Sequence, residues 1–255
     1  MAGILGRFRN SWRNSVPYTE NYGRDVIQEW VTSIAGSKRH PFCLDVGCGD
    51  GQDLAIVKKI IPDAMLYGLD ISEVNSASVG QLGIHLRKAN LEAEKIDFAD
   101  ETFDLVIANQ VFEHLKSWVF VLSEIARVLK PGGYLIIGVP NLASLHNRIM
   151  LLFGKQPTCI HTAGMHVRGF TYPGLATVVE FNHVFKIRDC QGRVFFPFPR
   201  KIGLLMSRLW PKASSSLFVL AERCGKPSDL HQLESMRKSD EFNVAVTCES
   251  ARLSR

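Results

Sequence analysis

The stretch from Phe42 to Leu54, Phe-Cys-Leu-Asp-Val-Gly-Cys-Gly-Asp-Gly-Gln-Asp-Leu, limits this chain more than any other. A short apolar strand is followed by Gly47, Gly49 and Gly51 on alternate positions and then by the start of a helix. A backbone that turns this sharply and lies flat against a ligand needs residues without a Cβ. The helix behind it points unpaired N–H groups at whatever the turn holds. Asp45, two residues before the first glycine, sets the charge of that ligand. A carboxylate there receives an ammonium group and repels a phosphate.

A glycine turn between strand and helix also cradles the pyrophosphate of a dinucleotide, but that fingerprint is G-x-G-x-x-G. Here the third glycine arrives one position early, at Gly51, and Gln52 stands where the fingerprint has glycine. Leu66–Ser72 then reads as a second strand ending in Asp70, 19 residues after Gly51. A carboxylate at that place can accept both hydroxyls of a ribose.

Two further segments follow in order: Phe103–Asn109 with Glu113-His114-Leu115, and Leu129–Ile137 around Lys-Pro-Gly-Gly. With the Asp45–Gly51 turn and the Asp70 strand, this set resembles the class I S-adenosylmethionine-dependent methyltransferases, small-molecule type. It covers residues 20–141 well and 170–223 loosely. The resemblance implies an α/β fold: a Rossmann-like, doubly wound, mostly parallel seven-stranded sheet, helices on both faces and a cap inserted after the fifth strand. It implies S-adenosyl-L-methionine as cofactor, with Asp45 on the methionine ammonium and the backbone of Gly47, Cys48, Gly49 and Gly51 against the methionine and ribose. Asp70 takes the ribose hydroxyls, Ile71 stacks on the adenine, and Asn90 and Leu91 line the adenine pocket. Asn109 and Gln110 face the sulfonium. His114, beyond the fourth strand, is the candidate base for the acceptor's proton, since an imidazole titrates near neutral pH. His166 and Arg168 are candidate substrate residues.

Charge divides the chain. Residues 1–124 carry 12 basic and 17 acidic side chains, whereas residues 125–221 carry 12 basic and two acidic ones, Glu180 and Asp189. An acidic first half suits a cationic sulfonium, and a basic second half suits an anionic substrate or surface. The six cysteines show no C-x-x-C or other metal spacing. Carboxylates do not cluster after the fourth and fifth strands either, so no metal is expected. No apolar run approaches the ~18 residues of a membrane span, and the first residues lack the long apolar core of a signal peptide. The expectation is a cytoplasmic protein.

Periodicity divides the chain into a basic lead-in over 1–17, a catalytic domain over 18–225 and a polar tail over 226–255, expected to be disordered. Helices are expected at Tyr18–Ile34 and Asp53–Ile61, and a third strand at His85–Leu91. Two segments, 142–168 and 195–212, interrupt the sheet pattern and combine apolar with basic residues. In the second, Ile202, Leu205, Leu209 and Trp210 share a helical face, with Arg200, Lys201, Arg208 and Lys212 around it. Such a face either closes over the site or rests on an anionic membrane.

Several acceptors are disfavoured. Base-amine methylation uses an Asn/Asp-Pro-Pro-aromatic turn after the fourth strand, where this chain has Asn109-Gln110-Val111-Phe112. Pyrimidine C5 methylation needs a cysteine nucleophile, and no cysteine lies between Cys48 and Cys159. No DNA-binding module is present. The leading expectation is methyl transfer to a small, anionic or lipid-like acceptor. The alternatives are an RNA or protein methyltransferase that docks through the basic half, and a non-catalytic cofactor-binding protein.

Overall fold

The structure is a computed structural model that describes residues 23–36, 40–72, 79–80, 82–162, 164–228 and 230. The expected lead-in, and the tail beyond Leu230, lie outside the described residues. Among those described, the chain runs α1 (Arg24–Ile34), β1 (Phe42–Val46), α2 (Gln52–Ile60), β2 (Met65–Asp70), β3 (Ile84–Lys88), β4 (Phe103–Asn109), α3 (Trp118–Val128), β5 (Leu129–Pro140), α4 (Leu145–Leu152), α5 (Tyr172–Val179), β6 (Phe185–Arg193), α6 (Arg200–Leu209) and β7 (Ser216–Arg223).

One seven-stranded sheet has the order β3-β2-β1-β4-β5-β7-β6. Strands β1 to β5 pair parallel, and β7 runs antiparallel between β5 and β6. The central strands are buried on both faces, and their apolar residues alternate between two cores. Leu44, Val106, Ala108, Leu135 and Ile137 face α3 and α5. Cys43, Leu105, Ile107 and Ile136 face α1 and α2. A two-residue period on a parallel sheet requires this division. The strand order reverses between β1 and β4, which opens a crevice at the carboxyl ends of the strands where ligands of such sheets bind.

Local chemistry fixes the element ends. Thr171 accepts from the Gly174 N–H and caps α5, and Ser144 does the same for α4 through Asn147. The Lys130-Pro131-Gly132-Gly133 segment, expected as a turn before the fifth strand, belongs to β5. It bulges between the pairs Phe103–Leu129 and Leu105–Tyr134, with Gly132 at φ 72°. The third strand ends at Lys88, so Asn90 and Leu91 sit in the loop beyond it. Leu230, past the expected domain boundary at 225, is fully buried in the α3/α5 core.

The two insertions form α4 with its following loop, and α6. They touch where the His146 and Phe196 rings stand 4.6 Å apart. Fully buried Asn141 ties both to the sheet, donating to the Lys212 and Ser214 carbonyls and accepting from the Ala143 N–H. Helix α6 buries Gly203 and Ser207 and turns Ile202, Leu205, Leu209 and Trp210 outward. No helix among the described residues is long and apolar enough to cross a membrane.

Candidate functional site

Gly47, Gly49 and Gly51 all adopt left-handed backbone, with φ 74°, 53° and 76°, which is why the turn is built from glycine. At Gly47 a Cβ would stand 2.4 Å from Val111 Cγ2, and at Gly51 3.0 Å from Ile84 Cδ1. At Gly49 it would meet nothing within 4 Å. The loop is therefore packed from beneath at its two ends, and the middle glycine faces the open side of the crevice. Cys48 turns its thiol inward against Gly68, where a Cβ would lie 2.6 Å from its Sγ. Only its backbone is presented to the crevice.

Asp70 organises the same loop. Its Oδ2 accepts from the Gly49 N–H at 2.9 Å and its Oδ1 from the Ser72 N–H at 2.8 Å. The carboxylate at the end of β2 thus holds the glycine turn in place. Beside it Ile71 is 65% exposed.

Asp45 is the electrostatic centre. The strand alternation puts it on the α1/α2 side, 2% exposed. Burial and the Asp53 carboxylate push it well above the usual carboxylate range; Arg24 opposes the shift, and Asp70 and Asp50 add to it. Arg24, however, is engaged by Asp53, Nε to Oδ1 at 2.8 Å, and Asn109 donates to the other Asp53 oxygen at 2.8 Å. Asp45 thus feels three further carboxylates, Asp53, Asp70 and Asp50, and a guanidinium already paired with Asp53. A cation is what this chemistry accepts. Asp53 and Arg24 were not singled out by the sequence; the signal was an acid in the first turn of the helix after the glycines.

At the end of β4, Asn109 packs its amide over Gly138, where a Cβ would come within 2.3 Å of Asn109 Oδ1. Gln110 follows with φ 57°, left-handed backbone that costs a non-glycine residue ~1–3 kcal/mol and concentrates at functional sites. Its N–H is held by the Gly138 carbonyl at 2.8 Å. Leu91 is buried in the core. Asn90 is exposed and uses its Oδ1 to accept from the Glu92 N–H at 3.1 Å, shaping its own turn. The oxygen expected to meet the adenine already has this partner.

A second group of residues lies beyond β4. Phe112–His114 forms a single 3-10 turn. His114 Nδ1 lies 3.3 Å from the Met165 carbonyl, and its ring meets that of His166 edge-on with centroids 4.8 Å apart. The two expected site histidines are therefore brought together from opposite sides of the insertion. Arg168 is turned elsewhere. Its guanidinium donates to the Leu115 and Lys116 carbonyls, at 2.9 and 2.6 Å. It clamps the turn that carries His114. Glu113, 1% exposed, is pushed up to about 7 by burial.

Residues 44–137 match a family described as a methyltransferase domain. The demethylmenaquinone methyltransferase of Chlorobaculum parvum is 29% identical over 196 residues, which is 73% of this chain and 80% of the relative. A human mitochondrial ubiquinone biosynthesis O-methyltransferase is 30% identical over 61% of this chain, and a sterol 24-C-methyltransferase of Gibberella zeae is 35% identical over 48%. The chain spans 44% and 33% of those two relatives' lengths. Among solved structures, a 1,6-didemethyltoxoflavin-N1-methyltransferase of Burkholderia thailandensis, with its substrate and S-adenosylhomocysteine bound, superposes with a TM-score of 0.52. It is 18% identical and covers 87% of this chain and 89% of its own. A methyltransferase of Aquifex aeolicus gives a TM-score of 0.50 at 20% identity, covering 76% of this chain and 88% of its own.

Proposed function

Because the chain belongs to the class I S-adenosylmethionine-dependent methyltransferases, with S-adenosylmethionine as cofactor, we propose that its acceptor is a small, partly hydrophobic, lipid-like molecule drawn from an anionic membrane surface. The cofactor supplies a methyl group already activated on a cationic sulfonium. What remains for the protein is to hold that cofactor, orient the acceptor and exclude water.

The crevice suits the first task. Asp45 holds the methionine ammonium, Asp70 the ribose hydroxyls, and Ile71 one face of the adenine, with the Gly47–Gly51 backbone beneath. Asn109 and the strained Gln110 stand at the reacting end. His114 acts on the acceptor side, seated by Arg168 and joined by His166.

The observation that carries the acceptor class is the apolar surface of the two insertions. Leu152, Phe153, Met165, Leu205, Leu209 and Trp210 are each more than half exposed. Lys201 and Arg208 flank the apolar face of α6, also exposed. Much of the remaining positive charge in the second half is spent inside the domain. Arg127 pairs with Glu124 and Asp100, Lys130 with Asp104, Arg188 with Glu222, and Arg193 with Asp25. These pairs reduce the charge available to a broad basic docking face for RNA. The relatives named for demethylmenaquinone, ubiquinone biosynthesis and sterols point the same way.

The test is incubation with methyl-labelled cofactor and cell extract separated into lipid, water-soluble, RNA and protein pools. Label in the lipid pool is expected. Label confined to RNA or protein would overturn the reading.

A further inference from the structure

We propose that Glu113, His114 and His166 form a binding site for one divalent transition-metal ion, zinc first, at the acceptor end of the crevice. A carboxylate oxygen of Glu113 and one ring nitrogen of each histidine lie within 4.8 Å of one another. Both oxygens of Glu113 are buried without a hydrogen-bond partner among the described residues. A carboxylate left so is costly to bury, and a cation coordinated by it removes the cost.

The histidines are prepared for the same role. His166 Nδ1 lies 2.7 Å from the Cys159 carbonyl and His114 Nδ1 3.3 Å from the Met165 carbonyl. A carbonyl oxygen only accepts, so both Nδ1 atoms carry the hydrogen. In the neutral ring each Nε2 then keeps its lone pair, and metal-bound histidines are oriented by this kind of outer hydrogen bond. With the ring centroids 4.8 Å apart, a single dication satisfies both rings and the carboxylate. Ligands at ~2.1 Å from a tetrahedral ion stand roughly 3.4 Å apart, so small side-chain rotations close the group.

Two imidazoles and one carboxylate suit zinc and its neighbours over magnesium or calcium. Three protein ligands leave a position open, as in catalytic sites. Cysteine spacing and carboxylates after strand ends do not reveal this set. Two ligands come from the turn after β4 and the third from the insertion after β5, which the ion would fasten to the core. The inference deepens the proposed function and rests on it for its role. An ion there would bind an acceptor hydroxyl oxygen and lower its pKa, so that the O–H proton is released to water. His114 then acts as a ligand and not as a free base.

The test is titration of chelator-treated protein with Zn²⁺ by calorimetry, and with Co²⁺ by visible absorption, without cofactor or acceptor. One equivalent is expected to bind, giving Co²⁺ ligand-field bands. Glu113→Gln and His166→Ala should each weaken binding by more than about 10-fold, with no change in His161→Ala. S-adenosylhomocysteine titration of each variant checks the fold. Should Glu113→Gln lose that binding, His166→Ala, on the insertion, decides. No saturable binding, or binding indifferent to both substitutions, would overturn the site. Failure of the lipid-acceptor reading would show separately, as label in another pool while the metal titration stands.

Discussion

Asp45 illustrates how one residue can carry both burial and specificity. Its carboxyl is held above the usual range by burial first and by Asp53 second, against Arg24. In the proposed site a bound ammonium favours the ionised form, so binding the cofactor would lower the Asp45 pKa and release a proton wherever the free protein still holds one. Affinity for S-adenosylmethionine should therefore rise with pH until the pH passes the Asp45 pKa of the free protein, and then level off. Calorimetric titration across pH would show this slope, and Asp45→Asn should flatten it. The same substitution should weaken binding by ~1.5–3 kcal/mol, the range for hydrogen bonds to charged groups. A second prediction belongs to Gly47. Alanine there meets both a φ of 74° and a Val111 methyl 2.4 Å away, so Gly47→Ala should cost roughly 1–3 kcal/mol or more. A lowered melting temperature without cofactor would record it.

Among the elements, α6 shows most clearly what sequence periodicity conveys and what it omits. Its apolar stripe is legible as Ile202, Leu205, Leu209 and Trp210, but the side by which the helix packs is not. The packed side is made of Gly203 and Ser207, small residues that leave no hydrophobic signal, and Gly203 reads as a helix breaker. A Cβ there would lie 3.5 Å from the Phe195 and Phe198 carbonyls, an ordinary contact, so the position favours small residues because backbone lies close by. The strands and the Asp45 and Asp70 turns are legible because their constraints are local: an apolar run, a positive φ, an acid at a strand end. The Glu113–His114–His166 group is not, because it joins residues 52 positions apart and depends on the path of an insertion. For α6 the expected outcome is co-sedimentation with anionic liposomes, weaker on neutral ones and at high salt. Leu205→Ser should reduce it on both lipids. Lys201→Ser with Arg208→Ser should reduce it on anionic lipid alone, by ~1 kcal/mol per charge.

For the molecule as a whole, the two cores meet only through the sheet, and residues distant in sequence close each of them. Leu230 is fully buried in the α3/α5 core. Leu230→Ala should thus lower stability by ~2–5 kcal/mol, read as a lower urea midpoint with unchanged slope. On the opposite face α1 is closed by late strands. Trp30 Nε1 donates to Asp189 of β6 at 2.8 Å, Arg193 reaches Asp25 at 2.7 Å, and Gly23 lies so close to the Phe218 ring of β7 that a Cβ would overlap it. On a ribosome the order is set by synthesis: α1 emerges before β6 and β7, and packs first with β1 and α2. Those two late strands arrive only after the rest of the sheet has been translated. Until then the part of α1 that faces β7 stays open, and a chain stopped short of β7 would keep it so, a ready point for chaperone binding or aggregation.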